Sequence, residues 1–221
     1  MSGAKIIPNK PFIIFLYGFP GSGKTAFARQ LAEELTAAHL QQDRLSQELY
    51  SENSARTEKP SRNALNYMTR EFLRSGVSVI YDANVYRVAE RRALRDAARQ
   101  VKATPVQIWL QIDPESAFLR TQKRDRRKSD DHFAKDYTPE SYEATLHRMQ
   151  NPENEDYVVI SGKHTYQTQR AAVFKKFYEL GILTPSQLSK ATPAKPEMVN
   201  LVPQNVVRTN GEITRRNINI N

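Results

Sequence analysis

Six apolar residues in a row, Phe12-Ile-Ile-Phe-Leu-Tyr17, form the first ordered pattern of the chain. An apolar run without alternation predicts a strand buried on both faces. It stops at Gly18. From Thr25 onward Phe27, Leu31 and Leu35 recur every four residues, the spacing of one helical face. A second helix is predicted over residues 62–74, with Ser61 as its N-cap, Leu65, Met68 and Phe72 inward, and Gly76 past its end. Val77-Ser-Val-Ile-Tyr81 predicts the next buried strand, ending at Asp82, and a helix follows over about 89–101. Val106-Gln-Ile-Trp-Leu-Gln-Ile112 predicts another strand. Asp113-Pro114 reads as an N-cap with proline at the first helical position, and Thr138-Pro139 opens a further helix in the same way. Tyr157-Val-Val-Ile160 is the last strand expected, and His39-Leu-Gln-Gln42 carries only a weak strand signal.

Strands alternating with helical segments predict an α/β fold: a parallel sheet with helices on both faces. This domain is expected over residues 1–181. From 182 the texture changes, with Pro185, Pro193, Pro196 and Pro203 punctuating a polar stretch, so residues 182–221 are expected to form a C-terminal extension. The composition, 39% hydrophobic and 26% charged over 221 residues, is that of an ordinary folded chain. No apolar run is long enough for a membrane span, and residues 1–11 lack the pattern of a signal peptide, so a cytoplasmic location without membrane contact is expected. With no cysteine, disulfides and thiolate metal sites are excluded. His39, His132, His147 and His164 have no ligand-like spacing and read as surface or core residues.

Charge sharpens the picture. Residues 61–128 hold 15 Lys/Arg against 7 Asp/Glu, nearly all of the net +9. A basic excess so concentrated points to an anion.

The candidate chemistry sits directly after the first strand. Gly18-Phe-Pro20-Gly21-Ser22-Gly23-Lys24-Thr25 fits G-x-x-x-x-G-K-[ST]. Backbone N–H groups can approach a phosphate chain only where side chains are small, which the three glycines provide. The helix that follows aims its N-terminal partial charge at the phosphates. Lys24 adds a full charge on the β- and γ-phosphates, and the Thr25 hydroxyl is placed to ligate Mg²⁺. This is an ATP site with its metal.

A hydrolase would follow its second buried strand with an acidic pair, but Asp82-Ala-Asn84 has no second carboxylate, and no Asn-Lys-x-Asp guanine motif is present. A kinase needs a base for an acceptor hydroxyl and positive charge over the transferring group. Asp43, at the end of the weak strand, is placed for the base; it can equally be read as a helix N-cap. For the charge, the stretch Arg120-Thr-Gln-Lys-Arg-Asp-Arg-Arg-Lys128 predicts a basic helix on which Arg120, Lys123, Arg124 and Arg127 share a face. Like charges on one face repel, so an anion-binding lid, about residues 114–137, is expected over a merely solvated helix.

The cradle, Asp43, the Val-Ile-Tyr-Asp82-Ala-Asn84 strand end followed by Arg91-Arg92, and the basic lid together resemble the polynucleotide-kinase branch of the P-loop kinases, with zeta-toxin-like kinases as more distant relatives. The resemblance covers residues 12–181. It implies that Lys24 and Thr25 hold ATP·Mg²⁺, that Asp43 is the general base, and that Asp82 acts near the metal and Asn84 beside the acceptor. It further implies that Arg120 and Arg124 close on the phosphates and that Gly162 and Lys163 contact adenine. Such kinases carry an arginine three residues after the base; here that position is Ser46, and Arg44 is the neighbouring replacement. The leading expectation is therefore transfer of the γ-phosphoryl group to the 5′-hydroxyl of a nucleic acid. A small-molecule kinase of the same fold and a nucleotide-dependent binding module are the alternatives. Tyr67, Tyr86 and Tyr137 could stack bases but read as ordinary packing.

Overall fold

The computed structural model describes residues 5–51, 54–125, 127 and 131–184. Five strands, β1 (Phe12–Tyr17), β2 (Ala38–Gln41), β3 (Val79–Asp82), β4 (Thr104–Gln111) and β5 (Val158–Ser161), form one sheet in the order β2-β3-β1-β4-β5. Every pairing is parallel. The helices between them are α1 (Lys24–Glu34), α2 (Gln42–Tyr50), α3 (Ala55–Arg74), α4 (Val88–Gln100), α5 (Pro114–Gln122), α6 (Pro139–Arg148) and α7 (Tyr166–Glu179). This is an α/β P-loop fold.

All six residues of β1 are buried because both of its faces are covered. Phe12, Ile14 and Leu16 pack with Phe27 and Leu31 of α1 and Val173, Phe174 and Phe177 of α7. Ile13 and Phe15 pack the other way, with Leu65 and Leu73 of α3 and Leu94 and Ala98 of α4. A third cluster, Ile112, Ala117, Tyr137 and Tyr142, joins the base of α5 to α6. Ile182 and Leu183 belong to the first cluster, so the core runs two residues past the Gly181 boundary. The remainder of the expected extension, 185–221, lies outside the described residues.

Several local expectations change. The helix expected from Arg62 begins at Ala55, with Ser54 at the N-cap and its N–H on the Thr57 hydroxyl at 3.0 Å. Pro60 therefore lies inside the helix, where it cannot bond the Arg56 carbonyl. Pro60 is exposed, so water can serve that carbonyl. Ser61, expected as the cap, instead donates back to the Thr57 carbonyl at 2.7 Å. The weak strand signal at His39 is β2, an edge strand, and its polar positions are explained by that place. Both Pro-containing helix starts form as expected: Asp113 accepts from the Ser116 N–H at 2.8 Å, and Thr138 accepts from the Ser141 N–H at 3.3 Å.

The basic helix is a correction. α5 ends at Gln122, with Lys123 as its C-cap, so Lys123, Arg124 and Arg127 do not continue the helical face of Arg120. Repulsion among those charges is relieved by leaving the helix.

Candidate active site

The parallel sheet brings the ends of β1, β2 and β3 to one edge, and β1 lies where the strand order switches direction. Between β1 and α1 the chain turns through Gly18–Gly23. Gly21 has φ +83°, and a Cβ there would stand 2.1 Å from the Ala117 carbonyl oxygen of α5. Glycine is the residue that allows both the turn and the approach of α5. Gly162 meets the loop from the far side: a Cβ on it would lie 2.7 Å from the Ser22 carbonyl oxygen. The cradle is thus gripped between α5 and the turn after β5.

Lys24 is folded back into this turn. Its ammonium donates to the Gly18 and Phe19 carbonyls, both at 2.8 Å, and its side chain is buried. Burial, chiefly, lowers its pKa to about 8; the Arg124 charge adds to the fall, while Asp82 and Asp43 oppose it. The Ser22 hydroxyl is shut off from solvent and has no hydrogen-bond partner among the described residues. An unpartnered buried hydroxyl beside a poised lysine and a helix N-terminus suits phosphate oxygens.

A cleft of about 370 Å³ opens over the cradle. Lys24, Thr25, Asp43, Asp82, Asn84, Arg120 and Arg124 all line it, together with Pro20, Gly21 and Gly23. Thr25 Oγ1 donates to Asp82 Oδ1 at 3.3 Å, and His39 Nε2 lies 3.1 Å from Asp82 Oδ2. Asp43 is in the first turn of α2, whose cap is Gln41, so the N-cap alternative for Asp43 does not hold. Arg120 donates to the Gly162 carbonyl at 2.9 Å; Arg124 donates to the Lys135 carbonyl and faces Asp131 at 3.8 Å.

Five predicted residues do not line this cleft: Gly18 and Ser22, which lie within the cradle turn, and Lys163, Gly162 and Arg44. Lys163 pairs with Asp113 at 2.8 Å and lines a separate hollow with Tyr17, Phe19 and Trp109. That ammonium, with the Ser116 contacts, holds the Asp113 carboxyl well below the usual range. Gly162 packs under the cradle instead of lining the cleft. Arg44 points into a neighbouring hollow, with its guanidinium 5.6 Å from the Phe133 ring centre. Ser46 is buried and donates to the Thr57 hydroxyl at 2.7 Å, tying α2 to α3. An arginine there would break that junction.

Residues in and around the cleft also take parts that the sequence did not assign to them. His39 was read as bland, yet the edge strand puts it on Asp82. Lys123, the cap of α5, and Asp131 and Lys135 further along also line the cleft. Arg91 is fully buried: Nε donates to Glu155 at 2.8 Å, and Nη1 donates to the Val85 and Tyr86 carbonyls at 3.2 and 3.1 Å. It bolts down the β3–α4 loop that carries Asn84. Burial alone would raise the Glu155 carboxyl, but hydrogen bonds from Arg91 and Arg95 hold it below the ordinary carboxylate value. Only the arrangement of the described residues shows this, since Arg91 and Glu155 are far apart in sequence.

The fold and cradle define a P-loop nucleotide-binding domain. More particularly, the chain belongs to the AAA-domain family (AAA_33), whose model matches residues 13–152, well over half of its length. No curated protein matches it. Among solved structures it is similar to Kti12 of Chaetomium thermophilum in complex with ADP-AlF3, with 22% identity and TM-score 0.60, over 79% of this chain and 100% of that one. It is also similar to a gluconokinase from Sinorhizobium meliloti, with 14% identity, TM-score 0.55, and coverage of 83% and 98%. A third is the APS kinase CysC of Mycobacterium tuberculosis in complex with AMPPNP and APS, with 18% identity, TM-score 0.55, and coverage of 76% and 98%. At these identities the likeness is one of fold.

Proposed function

We infer that the protein is an ATP-dependent phosphotransferase that moves the γ-phosphoryl group to a hydroxyl of a small molecule. The observation that carries this is the convergence of Lys24, Thr25, Asp43, Arg120 and Arg124 on one cleft. In this reading Lys24 leaves the Gly18 and Phe19 carbonyls to hold the β- and γ-phosphates. Asp43 takes the proton from the acceptor hydroxyl as its oxygen attacks the γ-phosphorus. The bond to the β–γ bridging oxygen breaks, and ADP departs with the charge that bridge acquires. Arg120 and Arg124 neutralise that charge from the lid side. Thr25 and Asp82 offer a hydroxyl and a carboxylate oxygen, donors that suit Mg²⁺, which would screen the phosphates.

The small acceptor is preferred over the polynucleotide for two reasons. The gluconokinase and APS kinase similar in fold are named for small acceptors. Part of the basic excess of residues 61–128, which favoured a nucleic acid, is tied up in ion pairs. Arg91 and Arg95 share Glu155, Arg62 lies near Glu58 and Glu90, and Arg74, Arg99 and Arg127 pair with Glu71, Asp96 and Asp125. A polynucleotide track requires cations available to several successive phosphates.

The test is transfer of label from γ-labelled ATP to a panel of sugars, polyols and nucleosides, alongside a 5′-hydroxyl oligonucleotide. Label should enter a small molecule and leave the oligonucleotide unmarked. Labelling of the oligonucleotide alone would restore the polynucleotide reading.

A further inference from the structure

Asp82 ends β3 beside Thr25, and one of its carboxylate oxygens is held from outside the cleft. Ile80 packs with Phe27 and Leu31 of α1, and residues two apart on a strand point to one face. Asp82 therefore also faces α1, whose first turn carries Thr25. His39 on β2 pairs in register with Ile80 and shares that face, one diagonal step from Asp82. From there its ring closes on the carboxylate, with Nε2 3.1 Å from Oδ2, while Oδ1 accepts from the Thr25 hydroxyl at 3.3 Å. A carboxylate can only accept, so Nε2 carries the proton of this bond.

The two oxygens of Asp82 are thus divided between two tasks. Asp82 is buried and lines the cleft with Thr25, whereas His39 does not line it and opens on a neighbouring hollow with Arg29 and Arg44. An aspartate side chain turns about two bonds, and a hydrogen bond to one oxygen removes much of that freedom. Holding Oδ2 keeps Oδ1 beside the Thr25 oxygen, so that two hard oxygen donors stand together at the cleft, the kind that Mg²⁺ takes. A mere tie between strands is not what the bond supplies. β2 and β3 are already joined by backbone pairing from Ala38↔Val79 to Gln41↔Asp82, and Leu40 anchors β2 in the second cluster.

We propose that His39 is a positioning residue for the metal: its bond to Oδ2 sets the Asp82 carboxylate so that Oδ1 and the Thr25 hydroxyl together can receive the Mg²⁺ that accompanies ATP. This rests on the ATP reading of the cleft and adds to it a residue that touches neither nucleotide nor acceptor. Groups that orient a metal-binding side chain in this way typically account for about 10–100-fold in metal affinity.

The experiment is calorimetric titration of a non-hydrolysable ATP analogue into the full chain, once with saturating Mg²⁺ and once in EDTA; the ratio of the two affinities measures what the metal adds. His39→Ala should cut that ratio about tenfold or more and leave the EDTA affinity near wild type. His39→Gln brings an amide N–H to the place of Nε2 and should restore most of the loss. In an Asp82→Asn background His39→Ala should change the ratio no further, because its effect passes through that carboxylate. A wild-type ratio in His39→Ala, or an equal fall in the alanine and glutamine variants, overturns the proposal. So does a loss of both affinities together with a lower melting temperature, which would make His39 structural. If wild type binds the analogue but gains nothing from Mg²⁺, the metal role of Thr25 and Asp82 falls and the proposal with it, while the nucleotide site stands. If the analogue does not bind at all, the ATP reading itself falls.

Discussion

Two sets of arginines from one basic stretch meet opposite fates. Arg91 and Arg95, on α4, turn inward to Glu155, and Arg91 is entirely buried over the Tyr17 ring. Arg120 and Arg124, from the end of α5 and just beyond it, face the cleft and are held largely by backbone carbonyls. A carboxylate partner fixes the first set as structure. Backbone carbonyls hold the second set at close range, and Asp131 stands off from Arg124 at 3.8 Å, so its charge is cancelled less. Local sequence makes the two sets look alike; what separates them is the part of the chain that folds opposite each.

The comparison breaks most sharply at Arg91. Arg91→Ala leaves Glu155 buried without its main partner and should cost about 3–5 kcal/mol in denaturant unfolding. Replacing both Arg91 and Glu155 with apolar residues of similar size should recover much of that loss. An Arg91→Ala protein of unchanged stability would show that the pair is not structural.

The opposite signature is expected on the lid. Arg124→Ala should lower phosphoryl transfer by about 10²–10³-fold, the range for losing one charge-stabilising donor. Its melting temperature should stay near that of wild type, because the lid return lies outside the two main clusters. Equal losses of stability and activity would place Arg124 with Arg91.

The cradle lysine sharpens the contrast, because arginines do not titrate in this range and lysine does. With its pKa lowered to about 8, chiefly by burial, Lys24 in the ligand-free protein loses its proton as pH rises through 8. Phosphates bind the charged form, so ATP affinity should weaken above pH 8, approaching tenfold per unit. Stability moves the other way. The unfolded lysine keeps its proton up to its ordinary 10.5, so between about 8 and 10.5 the unfolded chain binds more protons, and this group makes the free protein more stable as pH rises. Titration of ATP across pH 7–9.5 reads the first effect, and melting without ATP reads the second.

What the sequence disclosed follows the same division between local and distant causes. The cradle was legible because eight consecutive residues carry its chemistry, β1 because burial on both faces writes an unbroken apolar run, and β3 and β4 because their runs are mostly apolar. The start of α3 was misread because Ser61 looks like an N-cap, while the helix begins at Ala55 and runs through an exposed Pro60. The basic stretch from Arg120 was read as one continuous helix, whereas α5 ends at Gln122 with Lys123 as its cap. His39 on Asp82 and Arg91 on Glu155 depend on residues brought together by the fold, and no spacing along the chain encodes them.

The central claim is phosphoryl transfer with Asp43 as the base, and single-turnover transfer from γ-labelled ATP by wild type and Asp43→Asn tests it most directly. With the acceptor found in the labelling panel, the account predicts a loss of about 10²–10⁴-fold in the transfer rate with ATP affinity nearly unchanged. Transfer by Asp43→Asn at the wild-type rate, or a panel in which nothing takes up label, would contradict it.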